Sequence, residues 1–294
     1  MRNRNGISLL EVLVVIATFA MLLAIFMPSL GKVKPIARRV VCATNLKGLG
    51  TAITVYANDY DDKSPQLGKG PWAKKLGYSY EDSEFRPNDY EGPCTITSSL
   101  YLLVREADVS PKSFICPISD QVEFDGQNSK NLDIVELWDF GPNPHNHVSY
   151  VYHNPYGKFP ANGERSAAFA VMADMNPWFK DGSIIPAGEN NMPPQIITLA
   201  QDPQNTDRNI LKLGNFQFHK KRTEKLGQGQ NVLFADGHSS FEKQPNVGVK
   251  WDNIYTYWST EENPTEQDKQ GGTAPTNRSP ENDAKTEDDS FLVL

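Results

Sequence analysis

At 294 residues with 38% hydrophobic content, the chain can bury a substantial core in one large domain or two small ones. The net charge is −7, but the stretch from Ser259 to Leu294 holds nine acidic against three basic residues, so the rest of the chain is nearly neutral. A near-neutral body with no basic stripe lacks the electrostatic footprint of a nucleic-acid binder, and that partner class is excluded.

The chain opens on a short basic segment, Arg2-Asn3-Arg4-Asn5-Gly6, followed by an apolar run from Ile7 to Met27 broken only by Ser8, Glu11 and Thr18. As a helix this run is roughly 30 Å long, enough to cross a bilayer once. It is too long for an ordinary secretory signal and lacks a small-residue A-x-A ending, so it reads as a retained anchor. Glu11 is the anomaly. A carboxylate at mid-bilayer costs about 2.5 kcal/mol or more and is kept only with a partner. Glycine at position 6 lets a protease close on the backbone. Cleavage there makes Ile7 the new N-terminus, whose amine can neutralise Glu11 of a neighbouring subunit when parallel helices stack with an axial offset.

Gly6-Ile7-Ser8-Leu9-Leu10-Glu11 resembles the cleavage and methylation motif of type IV pilins and type II secretion pseudopilins. The resemblance implies that a prepilin peptidase cuts after Gly6 and methylates Ile7, where most members carry Phe. It also implies that Glu11 guides assembly with other pilin-like subunits. Pro28 falls where these helices commonly kink. Lys32, Lys34, Arg38 and Arg39 outnumber Arg2 and Arg4, and by the positive-inside rule would place the following domain in the cytoplasm. The resemblance implies the opposite: leader inside, one pass through the inner membrane, and a periplasmic or extracellular body, with the later charges meeting lipid headgroups.

Leu30, Val33, Ile36, Val40, Leu46, Leu49, Ile53, Tyr56 and Tyr60 recur at spacings that place them on one helix face. Asn58-Asp59-Tyr60-Asp61-Asp62 and Pro65 then end the pattern. The expected architecture is α+β and pilin-like: a leader at 1–6, a long kinked helix within 7–65, a loop-rich antiparallel β body over 66–258, and an acidic disordered tail over 259–294. Arg38 to Gly50 resembles the stretch after the anchor in secretion-type prepilin-like proteins. Cys42, Cys94 and Cys116 show no redox or zinc-ribbon spacing. In an extracytoplasmic body the expected pair is Cys94 with Cys116, because Cys42 falls on the helix; three buried thiols are the alternative.

In the body, short strands are expected at Val148–Tyr152, Ala167–Ala173, Gln195–Leu199 and Asn231–Ala235, with a short helix around Ser98–Glu106. Asn231 to Ala235, then Asp236-Gly237, then His238 to Phe241 read as a hairpin whose Asp-Gly takes the positive φ angles of a tight turn. Ala173 to Trp178 and Gly229 to His238 resemble the C-terminal half of the same family, which carries a histidine followed by Asp-Gly. His219 is that histidine here, at a longer spacing than usual. No nucleophile elbow, phosphate-binding loop or H-E-x-x-H helix is present, so no enzyme is expected. His145, His147 and His153 read as surface histidines rather than a metal set. Asp174, Asn176 and Asp236 offer hard oxygen donors for calcium, as the resemblance to major pseudopilins also suggests. The competing function is a membrane-anchored binding or enzymatic domain that uses the leader only for sorting, marked by a deep polar pocket.

Overall fold

The computed structural model describes residues 8–185, 214–216 and 227–294. The longest element is α1, Leu9–Asp59, 51 residues and therefore roughly 75 Å. Its start is a capping box: Ser8 Oγ accepts the Glu11 N–H at 3.2 Å, and Glu11 Oε2 accepts the Ser8 N–H at 2.8 Å. The helix runs through Pro28 and Pro35 as one element and stops at Tyr60, after which Asp61 and Asp62 take positive φ.

The two halves of α1 meet different surroundings. Every residue from Leu9 to Met27 is exposed, whereas Cys42, Leu46, Leu49, Ala52, Ile53 and Tyr56 are buried against the body. The body-facing stripe thus begins later than its periodicity suggests. Val33, Ile36 and Val40 continue the pattern but remain exposed, because the body covers only the last third of the helix.

Among the described residues, that third lies on an antiparallel sheet of five strands in the order β6-β5-β2-β1-β7. Its strands are β1 Tyr150–His153, β2 Ala170–Asp174, β5 Gln230–Phe234, β6 Ser239–Glu242 and β7 Leu292–Val293. A separate hairpin pairs β3 Phe179–Lys180 with β4 Ser183–Ile184. The helix crosses β5 closely at Gly50, where a Cβ would come within 2.7 Å of Leu233. A second helix, α2 Ile96–Glu106, is capped by Thr95, whose hydroxyl accepts the Ser98 N–H at 2.9 Å. The strand expected at Gln195–Leu199 lies outside the described residues.

The acidic tail is the main correction to the expected architecture. Rather than being disordered, it forms α3 Glu266–Gly271 and then β7, which pairs Val293 with Tyr152 and Leu292 with His153 at the sheet edge. Phe291 is fully buried and packs edge-on to Trp72 and Tyr257. The acidic residues that composition counts as solvating instead accept hydrogen bonds. Asp289 Oδ2 takes the N–H groups of Trp258 and Lys285 at 2.9 and 2.7 Å, and Asp283 takes Asn154 Nδ2 and the Lys158 N–H at 2.8 and 3.1 Å.

Candidate functional site

The N-terminal site is a projecting helix. Leu9–Met27 is long and apolar enough to cross a membrane, and the fold buries none of it. Glu11 is the acidic residue of its first turn, exposed and engaged with Ser8. The carboxylate therefore has a local partner within its own chain; Ser8-x-x-Glu11 is itself a capping-box pattern readable in the sequence. Gly6 and Ile7 lie outside the described residues.

Where α1 enters the body, the chain is fastened at several points. The Arg39 guanidinium sits over the Phe241 ring at 4.6 Å, Ser239 Oγ donates to Ala43 O at 3.0 Å, and Asn45 Nδ2 donates to Ile115 O at 3.0 Å. The strongest fastening is covalent. Cys42 of α1 is disulfide-bonded to Cys116, with Cα atoms 5.2 Å apart, and Cys94 is a buried free thiol. This replaces the expected Cys94–Cys116 pair. The helical register of Cys42 is the reason: it lies four residues before Leu46, on the face of α1 that docks on the body.

Asp174, at the end of β2, completes this junction. One donor atom from each of Cys42, Cys116 and Asp174 lies within 4.8 Å of the other two, and all three residues are fully buried. Asp174 Oδ2 accepts the Asn231 N–H at 2.6 Å and Asn231 Nδ2 at 3.0 Å. Burial pushes the Asp174 carboxyl up to about 7, against the lowering effect of those two hydrogen bonds.

The hairpin forms with Asp236-Gly237 at its turn. The Phe234 N–H donates to His238 O at 3.0 Å and the Gly237 N–H to Phe234 O at 2.9 Å; Gly237 takes φ +81°, whereas Asp236 keeps a negative φ, so only the glycine takes the positive φ expected of both. Asp236 is held below the usual carboxylate range, first by the backbone N–H of His238 and then by its ring. The calcium set does not converge. Asp174 faces Asn231 at the start of β5 while Asp236 lies past its end, on the order of 15 Å along the strand. Asn176 is committed elsewhere: its Nδ2 donates to Tyr255 O and Leu292 O at 3.1 and 2.8 Å, clamping the tail.

The three histidines also separate. His145 lines a half-open cavity of about 300 Å³ together with Phe179, Asp181 and Leu294. His147 Nδ1 donates to Val122 O at 2.9 Å. His153 is not a surface residue: it is buried, with Nε2 donating to Phe159 O at 2.8 Å and Nδ1 accepting the Phe291 N–H at 3.1 Å. His219 lies outside the described residues.

No family model, curated protein or solved structure matches the chain.

Proposed function

We propose that the chain is a structural subunit, processed by a prepilin peptidase after Gly6 and assembled by helix packing into a type II secretion pseudopilus or type IV pilus-like filament. The observation that carries this reading is the projecting half of α1. An apolar, fully exposed segment long enough to span a bilayer is continuous with a helix bolted to a folded body. Such a segment needs either lipid or copies of itself around it. In this reading the helix rests in the inner membrane before assembly, with the body on the periplasmic or extracellular side. Glu11 then exchanges its bond to Ser8 for the amine of a neighbouring Ile7.

Two substitutions separate the roles of Glu11. Glu11→Gln keeps an acceptor for the Ser8 N–H but removes the charge, and Glu11→Ala removes both. Both variants are expected to insert into membranes and to fail in filament incorporation, scored by crosslinking and electron microscopy. Incorporation of Glu11→Gln at the parental level would leave only the cap and defeat the charge-pairing mechanism. Intact-mass analysis of the parent, expected to start at a methylated Ile7, tests the processing step; mature protein starting at Met1 despite an active peptidase counts against the class.

A further inference from the structure

The disulfide that joins α1 to the body is enclosed, and opening any such bond raises a proton problem. When a thiolate attacks one sulfur, the electron pair of the S–S bond passes to the other, and a bare thiolate in a low-dielectric interior is costly. Asp174 places a carboxyl oxygen within 4.8 Å of both sulfurs. Among the described residues, the phenols of Tyr150 on β1 and Tyr255 also face it, the Tyr255 hydroxyl donating to Asp174 O at 2.9 Å. Both phenols are held neutral, first by burial and then by the negative charge of Asp174. Asn231 on β5 contributes only neutral amides.

We propose that Asp174 is the proton partner of the Cys42–Cys116 couple. Its carboxyl protonates the sulfur that leaves when a dithiol opens the bond. The second thiol of the reagent then resolves the mixed disulfide, so that the reagent is oxidised to its own disulfide and the protein pair is reduced to two thiols. The carboxylate left on Asp174 regains its proton from solvent. In the reverse direction the carboxylate accepts a proton from the thiol that attacks. Burial moves the pH range of this exchange upward, and Asn231 pulls it back, because its two hydrogen bonds favour the charged carboxylate. The spine-to-body joint is thereby a redox joint with a built-in acid.

The test is the rate at which dithiothreitol reduces the full-length protein in detergent, followed by maleimide mass-tagging from pH 5.5 to 9, for the parent and Asp174→Asn. Taking the ratio of the two at each pH cancels the titration of the reagent. The parent is expected to exceed the variant by on the order of 100-fold below pH 7, the lower range of general acid catalysis, with the ratio falling toward one by pH 9. A ratio that is the same at every pH would mean that Asp174 affects only the opening of the junction, and would overturn the proposal. If Asp174→Asn does not fold, Asn231→Ala decides the question. Loss of one hydrogen bond to the carboxylate should keep it protonated to higher pH, so the ratio of Asn231→Ala to the parent should rise above one between pH 7 and 9, and a ratio that is the same at every pH overturns the assignment.

Discussion

Replacing both halves of the disulfide, Cys42→Ala with Cys116→Ala, removes the cross-link that holds α1 to the body. The bond closes a loop with a sequence separation of 74. The chain-entropy relation then gives about 4 kcal/mol at 25 °C for the constraint it places on the unfolded chain. For a body of this size 1 kcal/mol shifts the melting temperature by about 2–4 °C, so the double variant should melt about 8–16 °C below the oxidised parent. Circular dichroism melts without reductant measure this. Reducing the parent should bring its curve close to that of the variant, while Cys94→Ala, which breaks no cross-link, should move it far less. A double variant that melts within about 2 °C of the parent, or a Cys94→Ala variant that loses as much as the double, would refute both the pairing and the reasoning behind the magnitude.

Gly237→Val should destabilise the body by about 1 kcal/mol or more through backbone strain alone, because φ is +81° and a Cβ there meets nothing within 4 Å; Gly237→Asn, which tolerates that region better, should recover part of the loss in urea titration. Phe291→Ala empties a fully buried site between Trp72 and Tyr257 and should cost about 3–5 kcal/mol, read by denaturant unfolding and by new protease cuts between Ser259 and Ser290. Stability should rise as pH falls from 8 to 5.5. Burial lifts Asp139 and Asp174 each to about 7 and raises the neighbouring carboxyls of Asp252 and Asp289, so the folded state binds protons that the unfolded state releases, and this contribution is lost as pH rises through 7. His153, lowered by burial to about 4, and His145, also lowered first by burial, act in the opposite sense below their ordinary 6.5, but are two groups against four. A melting temperature that drops steadily from pH 8 to 5.5 would contradict this balance.

The elements legible in the sequence were those fixed by local chemistry. The limits of α1 follow from an apolar run and a cluster of Asp and Asn before Pro65, and the β5–β6 hairpin follows from Asp-Gly between two short strand-forming runs. The helix at Ile96–Glu106 and three of the strand positions fell within a few residues of the expected ones. What composition and spacing could not show depends on which distant segments meet. A two-residue strand such as β7 has no periodicity of its own and exists because β1 offers it a free edge. Asp283 and Asp289 carry the same charge on paper as a solvated tail, yet each accepts two hydrogen bonds in the interior. Cys42 and Cys116 become partners only once α1 docks on the sheet.

The pairing of β1 with β7 has a kinetic consequence. Tyr152 and His153 must find Val293 and Leu292 far along the chain, and such non-local contacts are slow to form because loop-closure entropy is lost before any contact rewards it. Until they meet, β1 presents unpaired N–H and C=O groups, the template on which aggregation by strand addition begins. In the folded chain Asn176, His153 and Asp252 each bond the backbone of residues 290–292 and hold it in register on β1. Conditions that delay this capture should divert refolding chains into intermolecular sheet, which makes the closing segment the protein's own safeguard against misassembly.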